Sequence, residues 1–118
     1  MKRKELAIKL KKIGISDEIY NLYGAERSGT ILSHNILSTN KKWKVYNIDE
    51  RGNKLDINYF DTEDDACNYL YRRMVEFKWI MDNAHIHPDN KPKLEDVAGF
   101  EVSNDGKVNA ILKQTGVM

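Results

Sequence analysis

The stretch that most constrains this chain runs from Lys41 to Met74, KKWKVYNIDERGNKLDINYFDTEDDACNYLYRRM. Two runs with apolar residues at alternate positions flank Arg51-Gly52-Asn53, and a run with helical spacing follows the second. Alternation is the period of a strand, and a glycine in a short polar loop between two such runs predicts a β-hairpin, here with its turn at Glu50 to Asn53. Trp43, Val45, Asn47 and Asp49 fall on one face of the first strand, and Lys44, Tyr46 and Ile48 on the other. Apolar groups on both faces predict a sheet partly covered on both sides. In the second strand Leu55, Ile57 and Tyr59, with Phe60, stand opposite Asp56 and Asn58.

The helix that follows is marked at its start. Asp61 or Thr62 can cap it, and Glu63, Asp64 and Asp65 sit in its first turn, where negative charge meets the positive end of the helix dipole. Cys67, Leu70, Met74, Phe77 and Met81, joined by Tyr71, form the expected buried stripe; Arg72, Glu76 and Asn83 lie away from it, with Trp79 at its far margin.

The remaining elements are read in the same way. Lys2 to Ile13 places Leu6, Ala7, Leu10 and Ile13 at helical spacing, ended by Gly14. Ser16 to Gly24 is a short turn or irregular lead-in, Thr30 to Leu37 a strand, and Asn40 to Lys42 a turn. Residues 84–93 read as a loop, and within 94–118 the runs Phe100 to Val102 and Lys107 to Leu112 flank Asn104-Asp105-Gly106 as a second hairpin. The expected fold is α+β, an antiparallel sheet with the N-terminal and central helices packed on it, in one domain spanning 1–118.

Charge narrows the function classes. The chain carries 19 basic and 18 acidic residues, so it lacks the basic excess that drives binding to nucleic acid or anionic lipid, and neither partner is expected. The distribution is uneven, however. Lys2, Arg3, Lys4, Lys9, Lys11 and Lys12 crowd the first helix, whereas Asp49, Glu50, Asp56, Asp61, Glu63, Asp64 and Asp65 crowd the hairpin and helix start. Either patch could meet a charged partner. A single cysteine forms no internal disulfide, and no signal-peptide pattern or membrane-length apolar run is present, so a cytoplasmic protein is expected.

Catalytic equipment is sparse. His85 and His87 lie near Asp82 and Asp89 but lack the further ligands of a metal site, and His34 reads as a hydrogen-bonded sheet residue. Cys67 lies close to a helix start, where a thiolate is favoured, yet occupies the apolar stripe and reads as core. Ser28-Gly29 and Ser33-His34 do not form a nucleophile elbow, and the glycines are scattered singly, with no phosphate loop. The acids from Asp61 to Asp65 lack a calcium loop and are explained by helix capping. No catalytic residue, metal or cofactor is expected.

GISDEIYNLYG (Gly14 to Gly24), KWKVYNIDERGNK (Lys42 to Lys54) and YFDTEDDACNYLYRRM (Tyr59 to Met74), taken together, resemble a family of small bacterial immunity proteins encoded beside polymorphic or contact-dependent toxins. The shared features are a tyrosine-containing lead-in, a Trp-x-Val-Tyr strand, a Glu-Arg-Gly turn, and a strand ending in Phe before an acidic-capped helix bearing Ala-Cys. In this chain Asn47-Ile48-Asp49 separates Val45-Tyr46 from that turn, and residues after Asn83 fall outside the pattern. The resemblance implies a protein that binds and neutralises a cognate toxin without turnover. A nuclease toxin is commonly basic, which makes Asp49, Glu50, Asp56, Glu63 and Asp64 the expected contacts, with Tyr46 or Trp79 as an aromatic anchor. Two other readings stand beside it: a nucleic-acid-binding or regulatory module using Lys9, Lys11 and Lys12, and a small hydrolase or metal enzyme using His85 and His87. An exposed edge strand would also allow a homodimer.

Overall fold

The computed structural model describes residues 1–23 and 33–113. Their order is α1 (Arg3–Lys12), β1 (Tyr20–Asn21), β2 (Ser33–Thr39), β3 (Lys42–Ile48), β4 (Lys54–Phe60), α2 (Glu63–Asp82), 3-10 turns at Pro88–Asn90 and Leu94–Asp96, β5 (Val97–Val102) and β6 (Val108–Leu112). The fold is α+β. One sheet has the order β1-β2-β3-β4 and is antiparallel except for the two-residue β1, which runs parallel to β2. The last two strands do not join that sheet; they form an antiparallel ladder of their own. Ile31 and Leu32, expected in the first strand, lie outside the described residues, and β2 extends to Thr39.

Helix α1 ends as its glycine predicts. Gly14 takes φ +80°, its N–H donates to Lys11 O (3.0 Å), and Ile15 N–H donates to Leu10 O (3.0 Å). This pair of bonds satisfies two carbonyls that the helix would otherwise leave open, and it buries Ile15 close to Leu10. The cap of α2 is Thr62, whose hydroxyl accepts from Asp65 N–H (3.1 Å), while Asp61 pairs with Lys42 instead.

Leu6 and Leu10 of α1, Ile36 and Val45 of the sheet, and Cys67, Leu70 and Met74 of α2 make the core between the helices and one sheet face. Ile36 stands opposite Val45 in the β2–β3 ladder. Tyr46 and Ile48, whose side chains alternate with Val45, are also buried, so β3 is covered on both faces as its alternation predicts.

Three sequence expectations change. Met81, expected in the buried stripe, is 57% exposed, whereas Trp79, expected at its margin, is 7% exposed. The cause is the β5–β6 hairpin, which lies against a second flank of α2. There Phe100 meets the Trp79 ring at 5.6 Å and Val108 joins the core. Leu55, Ile57 and Tyr59 were expected as the apolar side of β4, yet they are 42%, 45% and 60% exposed. Phe60 and Asn58 are the residues opposite Trp43 and Val45, and Phe60 packs on the core. A bulge with Asp56 at φ +51° shifts the register between those pairs and the turn.

Candidate partner-binding surface

The hairpin turn is organised by its own acid. The Asp49 carboxylate accepts from the N–H groups of Arg51 (2.9 Å) and Asn53 (2.8 Å) and from the Asn53 amide (3.1 Å), while Gly52, at φ +86°, donates to Asp49 O (3.0 Å). The Asn53 N–H, foremost among these donors, holds the Asp49 carboxyl below its ordinary range. Asp49 therefore serves the loop first. Glu50, beside it, is exposed and has no hydrogen-bond or ionic partner among the described residues. Together Asp49, Glu50, Arg51 and Asn53 line a shallow open depression.

The other predicted acids are paired within the molecule. Asp56 accepts from the Asn47 amide and the Arg73 guanidinium (both 3.3 Å), and Arg73 also donates to the Tyr69 hydroxyl (3.0 Å). Glu63 accepts from the Arg3 backbone N–H and guanidinium (both 3.1 Å), with Lys2 at 3.7 Å. Those Arg3 donors, the backbone N–H before the side chain, depress the Glu63 pKa. Asp64 pairs with the Met1 amino group. The Arg3 guanidinium is itself fixed, stacked over Trp43 (4.8 Å) and Tyr23 (4.6 Å) and donating to Leu22 O (3.3 Å). Basic helix and acidic helix start thus meet each other in part.

Geometry separates these acids further. The Asp49–Asn53 turn closes one end of the β3–β4 hairpin and α2 starts at the other, so the length of a seven-residue strand, about 20 Å at ~3.3 Å per residue, lies between them. No single acidic patch is formed. Of the two predicted aromatic anchors, Trp79 is held against Phe100, and Tyr46 is 1% exposed beneath the ammonium groups of Lys44 (4.7 Å) and Lys54 (5.5 Å). Neither offers a partner much surface, because both rings already pack within the fold.

The second strand of the hairpin was expected, but its place at the sheet edge was not. β4 is an edge of the sheet, and it presents Leu55 near the Glu50 turn, Ile57 at mid-strand and Tyr59 near the start of α2 to solvent. Alternation signalled these residues but read as a core face, because edge position is a property of topology.

Elsewhere, His85 and His87 are exposed, and His87 Nδ1 accepts from Asp89 N–H (3.2 Å). Among the described residues no three His, Cys, Asp or Glu side chains gather as a metal site. Burial, with Glu63 nearby, pushes the Cys67 thiol up to about 11, so its helix-start position does not make it a thiolate. His34 is buried, and although its N–H donates to Ile19 O (2.8 Å), its ring is not hydrogen-bonded as expected. Ser28-Gly29 lies outside the described residues. No helix among the described residues is long and apolar enough to cross a membrane. Searches against protein-family models, curated proteins and solved structures return no match for this chain.

Proposed function

We propose that this chain is a cytoplasmic immunity protein that binds a cognate bacterial toxin, a basic nuclease, and neutralises it by occluding its active site. The observation that carries the reading is the edge strand β4, which exposes Ile57 along its length and Tyr59 at its α2 end, and whose other end runs into a turn bearing Glu50, a carboxylate without a partner among the described residues. An aromatic anchor beside apolar surface with a carboxylate at the margin is the composition of a protein-binding patch. The acid would steer a basic partner and mask its phosphate-binding charge. Tyr59 takes the anchoring role in place of Tyr46 and Trp79. The resemblance of the stretches Gly14 to Gly24, Lys42 to Lys54 and Tyr59 to Met74 to immunity proteins supports the same role.

The test is co-purification with the product of the adjacent upstream gene, followed by rescue of cells expressing that product. A stoichiometric complex and rescue are expected. Failure of both removes the proposal and leaves the nucleic-acid reading, for which α1 retains exposed Lys4, Lys11 and Lys12. Retention of RNA or DNA at low salt, lost on neutralising Lys11 and Lys12, would then decide.

A further inference from the structure

His34 near the start of β2 is 5% exposed, and neither ring nitrogen has a hydrogen-bond partner among the described residues. Among the described residues its neighbours come from three elements. Phe77 of α2 meets the imidazole edge-on at 5.6 Å, Asn47 stands across the ladder on β3, and Tyr20 stands beside it on β1. Two charges act on the ring, Arg73 of α2 and Asp56 of β4. They are paired to one another at 3.3 Å, and the same Asp56 oxygen takes the Asn47 amide at 3.3 Å. Among the described residues, the one carboxylate acting on the imidazole is therefore already shared between two donors.

We infer that His34 is an acid-sensitive latch between α2 and the sheet: a proton on the imidazole places a charge on a buried ring packed against Phe77 of α2, with the Arg73 cation opposing it from the same helix, and α2 loosens. Burial is the largest influence on the ring and pushes its pKa below the ordinary 6.5; Asn47 and Asp56 draw it back and Arg73 pushes it down again. The sign follows. As pH falls through about 6.5 the unfolded chain takes up the proton before the folded chain does, so stability declines from there until the folded imidazole also titrates. The latch rests on the fold alone and holds whichever partner the hairpin binds.

The test is an NMR titration of the full chain carrying His85→Asn and His87→Asn, which leaves one imidazole signal, with amide exchange of α2 followed over the same pH range. The expected result is a midpoint below 6.5, accelerated α2 exchange as the ring titrates, and a higher midpoint in Arg73→Gln, where the opposing cation is gone. A midpoint at or above 6.5, α2 protection unchanged through the titration, or no response to Arg73→Gln would each overturn the latch. Because the titration reads His34 in place, it does not depend on whether a His34 variant folds.

Discussion

Asp49 has the residue type and exposure of a contact for a basic partner, yet its carboxylate is saturated by its own turn. Asp49→Ala should free the Arg51 and Asn53 amides, giving faster amide exchange at both and a lower urea midpoint. The pH dependence follows from the direction of its shift. The folded carboxyl lies below 3.8, so its stabilisation is present above that pH and is lost as pH falls through the folded value. A difference curve between wild type and Asp49→Ala should show this loss in acid, and a flat difference would contradict the capping role. Cys67 offers a second check. A thiol moved from 9.0 to about 11 holds about 100-fold less thiolate at neutral pH. Alkylation by iodoacetamide should therefore be slow in the native chain and rapid in urea; equal rates would mean that the α2 stripe is open.

At the scale of elements, the signals that could be read were local. The Gly14 stop, the capping of α2 and the Asn104-Asp105-Gly106 turn each follow from a few adjacent residues, and each is present. The identity of the buried face of α2 was not local. Trp79 is covered because the β5–β6 hairpin folds back on that flank, which no periodicity within α2 encodes. Gly106 tests this docking. Its φ is +89°, and a Cβ added there would lie 2.1 Å from the Lys12 carbonyl oxygen at the end of α1. Gly52, at φ +86°, has open space around it. Both alanine substitutions meet the left-handed penalty of about 1–2 kcal/mol. Gly106→Ala must also move the hairpin or α1, adding an overpacking cost of about 1–3 kcal/mol. Urea denaturation should rank Gly106→Ala as clearly the more destabilised, and equal losses would show that the hairpin is not held against α1.

On the scale of the whole molecule, composition predicted two opposed charge patches but not that they would be partly consumed by one another. Arg3 and Lys2 answer Glu63, and Arg73 answers Asp56, so acids clustered in sequence do not make one surface in space. Edge and core strands look alike in sequence too, which is why Tyr46, expected as an exposed anchor, is buried and Tyr59, expected on an apolar face, is exposed. Tyr59→Ala with Glu50→Lys changes only exposed side chains of the hairpin, so the urea midpoint should stay close to wild type, as is usual for surface substitutions. Trp79→Ala removes a core ring packed on Phe100 and should cost about 3–5 kcal/mol. If the β4 edge and its turn hold a toxin, the double variant should abolish co-purification and rescue while remaining folded. The Trp79 variant should lose rescue only in proportion to the folded fraction. A folded double variant that still rescues would remove this hairpin face from the interface, because the charge and the anchor on which the proposal rests would both be absent from a functioning inhibitor.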